Sequence, residues 1–516
     1  MDESKQERKS RRAGGRQARH ALRAAPLAED IKPVRPGMTG GSYKPLSDED
    51  IRQIHGVALD ALEQIGMAEA PVTGRAAMIE AGCEWDEPTQ RIKMPRRLVQ
   101  AMIDATPKEF SIYGQNAPEF DLKLYGKRVH YATAGAAVHT VNVDTREYDE
   151  STIGDLYKAA RIVEQMDNIH FFQRPVVARD IEDNVQMDIN TLYACAHGTR
   201  KPFGTSIFEM DAVDPCLDIL YSIAGGEQAF RAKPFAMLSC TFVVPPMKYA
   251  TESCEVMEEC IKGGMPVLLL SAGQAGATSP AAIAGSVMQA HAECMSGLVY
   301  ANSISMGHPV VFGPWPFVSD LRSGAMSGGS GEQSILSASV AQMGQSLGVP
   351  TGTAAGMTDA KLPDAQSGYE KGITTVMAGL AGANMVYESA GMHASLLGFC
   401  LESLVIDNDM LGQAMRCVRG VEVDTSKLSL ETMRTVTLEG PGHYLGTEQT
   451  MNLMQSEYIY PKIGDRLSPK EWKEVGKPDL IEEAKKRVAE IVGAPRPTHV
   501  PAQLDADIRA KYPMHF

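Results

Sequence analysis

The chain has 516 residues, 44% of them hydrophobic and 22% charged, enough for one large core with an accessory region around it. Its formal net charge of −14 argues against nucleic acid as the main ligand. No apolar run reaches the ~18 residues of a membrane span. The nine cysteines (83, 195, 216, 240, 254, 260, 294, 400 and 417) are scattered, with no C-x-x-C, and read as reduced core thiols. His291 and Cys294 stand three apart, but no second pair lies nearby in sequence to complete a structural metal site.

The N-terminus is basic, with Lys5, Arg8, Lys9, Arg11, Arg12, Arg16, Arg19 and Arg23. It lacks the apolar segment of a secretory signal, so the cytoplasm is the default location. This arm reads as a solvated tail, mobile or lying on a neighbouring subunit. Residues 1–45 comprise the tail and a Pro/Gly segment. Helical periodicity starts at Asp48, where Ile51, Ile54, Val57, Ala58, Leu62 and Ile65 fall on one face. Ser47 is the expected N-cap and Gly66 the expected stop. A second helix is predicted over 72–81, a third opens at Pro95, and 110–113 reads as a strand. Residues 46–127 thus form an N-terminal helical accessory region.

From residue 128 a strand-then-helix alternation begins. Strands are predicted at 129–132 with 138–141, 169–173, 203–207, 235–240, 266–271, 309–312, 349–352 and 385–388. Helices are predicted between them, over 152–166, 188–196, 212–225, 250–263, 280–301, 331–347 and 364–380. Eight such units over 128–400 point to an α/β fold, a (β/α)8 TIM barrel, rather than an open sheet. The continuous run Val267-Leu268-Leu269-Leu270 suits a strand buried on both faces. Residues 401–516 form a C-terminal helical extension. Its segment Leu480–Val492 is amphipathic and is expected to pack on the barrel's outside or on a partner subunit.

No G-x-S-x-G, P-loop, H-E-x-x-H or dinucleotide fingerprint occurs. The glycine-rich stretch 323–331 lacks the lysine of a phosphate cradle and reads as a loop shaping the barrel mouth. Lys201, Lys233 and Lys361 lie near predicted strand starts or in loops, which argues against a Schiff-base aldolase or a mutase. The predicted carboxyl ends of the strands bring Tyr131, His139, Gln173, Arg174, Phe208, Glu209, Thr241, Gln274, Trp315, Phe317, Asp359, Asp364, Glu388, His393 and Phe399. Rings are many, bases few, and no nucleophile is evident. Such a mouth suits a quaternary ammonium, whose charge is attracted to ring faces by ~0.5–2 kcal/mol each. Core packing is the competing reading for any one ring. For His393, beside Gly391, ligand and core readings stand side by side. Small residues crowd 348–399 and leave room for a bulky partner.

Several stretches together carry a family likeness. They are Arg11-Arg12-Ala13-Gly14-Gly15-Arg16, Val34-Arg35-Pro36-Gly37-Met38-Thr39-Gly40-Gly41, Tyr43-Lys44-Pro45-Leu46-Ser47, KLPDAQ at 361–366 followed by Tyr369-Glu370, and Ala381-Gly382-Ala383-Asn384. Over nearly its whole length the chain resembles the trimethylamine methyltransferase family. That resemblance implies a (β/α)8 barrel and transfer of a methyl group from a methylamine to the cobalt of a partner corrinoid protein. Founding members carry pyrrolysine in the loop after the seventh strand. Here that loop, TAAGMTDAK at 353–361, holds only standard residues. The chain therefore looks like the non-pyrrolysine branch, whose members use quaternary amines such as glycine betaine, proline betaine or carnitine.

The loss of pyrrolysine is chemically consistent. A quaternary ammonium gives up its methyl and leaves as a neutral tertiary amine, so no general acid is needed, only orientation and desolvation. The resemblance thus implies a small methylated amine as substrate and no acid–base catalyst. No D-x-H-x-x-G occurs, so the corrinoid is expected on a separate protein, with no cofactor or metal held by this chain. The expected substrate-binding residues are Tyr131, Trp315 and Phe399 around the cation, His393 on its carboxylate or hydroxyl, and Glu388. Asp359, Asp364 and Gln366 are expected in the loop at the mouth, with Glu388 or Asp364 offsetting the charge or holding that loop. The basic arm and the long C-terminal helix suggest a homo-oligomer. The alternatives are a trimethylamine-type or other methylated-amine corrinoid methyltransferase, or a betaine-binding protein without turnover.

Overall fold

The computed structural model describes residues 28–516 apart from Ala134 and Pro441. The basic arm lies outside the described residues. Among the described residues, contacts divide the chain into two units, residues 28–35 with 421–460 and residues 36–420 with 461–516. In the first, the short helices Leu430–Arg434 and Glu448–Leu453 are tied by Gln449 Nε2, which donates to Ser429 Oγ at 2.6 Å and Ser426 O at 3.0 Å.

The second unit carries the alternation. Among the described residues the strands of that alternation are β1 (Arg128–Tyr131), β2 (Phe172–Gln173), β3 (Phe203–Thr205), β4 (Ala236–Cys240), β5 (Val267–Ser271), β6 (Val310–Pro314), β7 (Gly352–Ala354) and β8 (Met385–Tyr387). Each precedes a long helix: α1 (Ile153–Glu164), α2 (Asn184–Gly198), α3 (Val213–Ala224), α4 (Thr251–Lys262), α5 (Ile283–Ile304), α6 (Gly331–Leu347), α7 (Ala365–Ala381) and α8 (Leu401–Arg419). Strands β2 to β6 pair in sequence order, all parallel. A second parallel set runs β7–β8–β1, with Met38–Thr39 added antiparallel on β1. Single parallel bridges, Ala132↔Phe171 and Phe312↔Thr351, join residues at the facing edges of the two sets. The architecture is mixed α/β.

Proline sets where several strands start. Pro202, Pro266 and Pro309 stand directly before β3, β5 and β6. Each lacks an N–H, so the ladder starts one residue later, yet each still offers its carbonyl to the neighbouring strand: Pro202 O to Phe172 N at 3.1 Å, Pro266 O to Leu238 N at 2.9 Å, and Pro309 O to Val267 N at 3.2 Å. Pro350 O likewise accepts from Phe312 N at 2.8 Å. There Thr351 Oγ1 also turns back onto Val349 O at 2.9 Å, and β7 begins at 352, not at 349 as expected. The predicted partner of the first strand, 138–141, is not in this ladder. Residues His139–Val141 join a separate sheet with Tyr148–Glu150 and with a hairpin, Met392–His393 and Gly398–Phe399.

Caps define the helices as the sequence suggests. Ser47 and Asp50 form a capping box at Asp48–Asp60, Thr152 and Asp155 another at α1, and Ser330 and Asp364 cap α6 and α7. Helix α5 is buried nearly all round, so its outer side must be covered by other elements. The accessory helices Asp48–Asp60, Val72–Ala81 and Arg96–Ala105 supply that cover. Tyr300 of α5 donates to Glu258 Oε1 at 2.6 Å, and Asn302 Nδ2 donates to Thr106 Oγ1 at 3.0 Å.

The C-terminal helix Leu480–Gly493 buries Ala484, Val488 and Ile491 against α8 and α1, in line with its amphipathic sequence. Arg161 of α1 satisfies the end of that helix by donating to the carbonyls of Ile491, Val492, Ala494 and Pro495 at 2.6–3.2 Å. Among the described residues no helix is long and apolar enough to cross a membrane.

Candidate functional site

The parallel strands direct their carboxyl ends to one side, and the middle of the strand set is filled by Tyr387 of β8. Its hydroxyl lies 3.9 Å from Met237 Sδ of β4. Its ring meets Phe171 edge-on at 6.1 Å and Trp315 at 5.2 Å. Facing strands make room for it by omitting side chains. A Cβ on Gly352 would come within 2.7 Å of the Tyr387 ring, and one on Gly204 would overlap Gln173 Oε1 and stand 3.0 Å from Phe171. Tyr387, Phe171 and Met237 are thus a close-packed floor. Beyond it, at the ends of β1, β3, β4 and β5, the residues are small and part-exposed: Gly135, Ser206, Ser239 and Ala272, with Thr241 exposed.

One wall is aromatic. After β6 the chain stays extended alongside the continuation of β5. Trp315 N donates to Ser271 O and Phe317 N to Gly273 O, both at 2.8 Å. The two rings, two residues apart on one strand face, lie 6.5 Å apart. From α6, Gln333 Nε2 donates to the intervening Pro316 O at 3.0 Å and fixes the segment. Trp315 is 95% buried, and its indole N–H has no partner among the described residues. Buried indole N–H groups ordinarily find an acceptor.

Glu388 follows the floor tyrosine directly. It is buried, its Oε2 has no hydrogen-bond partner among the described residues, and its backbone sits at φ 64°, a left-handed conformation uncommon for a side-chain-bearing residue. The carboxyl end abuts the loop after β1: a Cβ on Gly135 (φ 126°) would lie 3.3 Å from Glu388 Oε2 and 2.9 Å from Met392 Sδ. Burial without a compensating charge pushes the Glu388 carboxyl up to about 8.

Carboxylates lock the loops around these residues. Asp359 accepts from Ser327 Oγ and Gly328 N, both at 2.7 Å, and from Ser395 Oγ, tying together the loops after β6, β7 and β8. Glu370 of α7 accepts from Thr358 Oγ1 at 2.5 Å, Asp359 N at 2.8 Å and Gln366 Nε2 at 2.8 Å. Asp364 caps α7 through Ser367 N. Behind them, Lys371 Nζ and Asp407 Oδ2 form a buried ion pair at 2.7 Å, and Asp407 also accepts from Gly391 N at 2.8 Å. The loop residues expected at the mouth, Asp359, Asp364 and Gln366, therefore act on one another and on neighbouring loops.

The remaining expected site residues divide. Trp315 packs against the Tyr387 ring, and Glu388 follows Tyr387 in the chain. Tyr131 does not join them. It points from β1 into the helix layer, donating its hydroxyl to Thr375 O of α7 at 2.9 Å, where a Cβ on Gly379 would overlap it. Phe399 is fully buried against Gly391 in the hairpin after β8. His393 is buried in the same hairpin with Nε2 2.7 Å from Ser403 Oγ, and burial, with Lys371 nearby, holds the imidazole neutral. Tyr387 itself was absent from the expected set. Its one signal in the sequence lay in the glycines of the facing strands, Gly204 and Gly352.

Compared with known proteins, residues 12–512 match the family model described as Trimethylamine methyltransferase (MTTB). The chain is 30% identical over 475 residues to Trimethylamine methyltransferase MttB of Methanosarcina thermophila, covering 91% of this chain and 96% of that protein. It is 28% identical over 465 residues to Trimethylamine methyltransferase MttB of Desulfitobacterium hafniense, covering 90% and 92%. It is 26% identical over 471 residues to the Glycine betaine methyltransferase of Desulfitobacterium hafniense strain Y51, covering 91% and 95%.

Proposed function

Because the chain belongs to the trimethylamine methyltransferase family, we propose that it takes a methyl group from a quaternary, trimethylammonium-bearing amine such as glycine betaine and passes it to the cobalt of a separate corrinoid protein. We place the reaction at the carboxyl ends of eight strands closed into a (β/α)8 barrel. The bridges Ala132↔Phe171 and Phe312↔Thr351, at the facing edges of the two parallel sets, support the closure. The observation that carries the substrate reading is the tilted packing of Trp315 against Tyr387, with Phe317 alongside, beneath strand ends of small, part-exposed residues.

Each residue has a task in that reading. The ring faces of Trp315, Tyr387 and Phe317 hold the fixed charge, at ~0.5–2 kcal/mol per well-placed ring. The packed floor excludes water on one side and leaves a methyl group directed at the opening. The small residues at the rim leave space for the acceptor, whose reduced corrinoid supplies the nucleophile. The departing tertiary amine is neutral and needs no proton, so the chain needs no acid catalyst.

A second reading, trimethylamine itself, is favoured by Glu388. Burial keeps that carboxyl protonated near neutral pH, and a tertiary amine leaves only with a proton. The experiment is incubation with a reduced corrinoid protein and a panel of quaternary, tertiary and secondary methylamines, followed by detection of the demethylated amine. Turnover of quaternary amines is expected. Turnover of trimethylamine alone supports the second reading. Tight binding of a betaine by calorimetry without turnover means a binding protein and overturns the enzymatic reading.

A further inference from the structure

A carboxyl group enclosed with no donor is unfavourable when ionised, and a left-handed backbone at a non-glycine residue is unfavourable as well. Glu388 combines the two at the edge of the proposed site. The titratable groups on the elements packed around it are engaged elsewhere. On α7, Glu370 takes three donors and Lys371 is paired with Asp407 of α8. On the hairpin, His393 is bonded through Nε2 to Ser403, and its Nδ1 has no partner among the described residues. On β1, Tyr131 is bonded to Thr375 O, and on the sheet beyond it His139 Nδ1 lies 3.3 Å from Leu397 O. In the loop after β7, Asp359 holds Ser327 and Gly328. Among the described residues, none of these bonds or ion-pairs with Glu388. Among the described residues its Oε2 is left without a partner, a place that a ligand can fill.

We propose that Glu388 is the residue that faces the substrate's fixed positive charge, and that binding of the cation drives one proton from its carboxyl group into solvent. This rests on the reading of the substrate as a quaternary ammonium. The balance is simple: the neutral acid and the free cation give a carboxylate–ammonium pair and one released proton. No covalent bond to carbon changes. A permanent cation beside the carboxyl favours the ionised form, whereas burial alone favours the neutral form and holds it up to about 8. Affinity must then rise with pH, about tenfold per unit while the empty site stays protonated, and level off above pH 8. Uncharged analogues gain nothing from this term, so Glu388 also sets the selection for a cation.

The test is calorimetric titration of glycine betaine into the full-length protein at pH 7, in buffers of different protonation enthalpy, repeated from pH 6 to 9. The expected result is close to one proton released per molecule bound, with affinity climbing toward pH 8. Glu388→Gln, which mimics the neutral acid and so disturbs the fold little, binds more weakly, with no proton released and no pH dependence. An infrared difference spectrum, bound minus free, should lose a protonated-carboxyl band in the parent and not in Glu388→Gln. Binding that is pH-independent and releases no proton overturns this assignment alone. Failure of every methylated ammonium to bind at any pH overturns it together with the substrate reading.

Discussion

Replacing Lys371 by methionine removes one half of a pair whose side chains are 1% and 5% exposed. Methionine keeps most of the unbranched stem, so packing changes little, and the cost is the charge left behind. Breaking a buried pair from one side costs ~3–5 kcal/mol, chiefly as the penalty of an orphaned buried ion. The Gly391 N–H, still donating to Asp407, offsets ~1 kcal/mol of that. The net loss is then about 3 kcal/mol. In the double variant Lys371→Met/Asp407→Asn the amide oxygen still accepts from Gly391 and no charge remains. It should lie within about 1–2 kcal/mol of the parent, a non-additivity of at least ~1 kcal/mol. Urea unfolding followed by tryptophan fluorescence gives both midpoints. A single variant that loses under ~1 kcal/mol, or a double variant as unstable as the single, refutes the reasoning.

Three further outcomes follow from the geometry. Trp315→Leu should weaken glycine betaine binding by about 2- to 30-fold, the equivalent of ~0.5–2 kcal/mol, and should affect the neutral tert-butyl analogue far less; calorimetry with both ligands checks it. Tyr131→Phe should cost ~0.5–1.5 kcal/mol of stability through loss of the bond to Thr375 O and leave methyl transfer unchanged, so a fall in rate would return Tyr131 to the site. For Glu388, whose folded-state carboxyl is raised from 4.5 to about 8, the unfolded chain ionises first. Stability is therefore lost as pH rises through that window. Glu388→Gln removes the penalty, so its advantage over the parent in unfolding midpoint should be absent below pH 4.5, widen up to about pH 8 and then stay constant.

Much of the strand–helix alternation was legible because local chemistry marks it. Prolines end one element and open the next at 202, 266 and 309, and Ser47, Thr152 and Asp364 cap helices where the sequence places them. Side-chain direction was harder to read. In a strand a shift of one residue exchanges the two faces, and Tyr131, aligned with the ligand side in the sequence, falls on the helix side. His393 and Phe399 were read as substrate-binding residues following the last strand. They belong to a hairpin closed by Ala394, Ser395 and Leu396, at φ 49°, 51° and 84°, a turn without the glycine or Asn-Gly that normally advertises one. Trp315 and Glu388 stood out in the sequence because an indole and a carboxylate at strand ends are chemically conspicuous. Tyr387 did not, because a tyrosine in an apolar run looks like ordinary core. The Lys371–Asp407 pair joins residues 36 apart, a partnership that only the packing of α7 on α8 creates.

The floor beneath the strand ends also governs traffic. In the proposed site Tyr387, Phe171 and Met237 are wedged together, so a molecule that enters from the rim meets close packing at its back. On that proposal reactant and spent amine share one doorway, and any large body that covers the doorway during reaction shuts both in. Departure of the amine then has to await withdrawal of that cover, so the order in which the participants come and go is imposed by a single phenol ring.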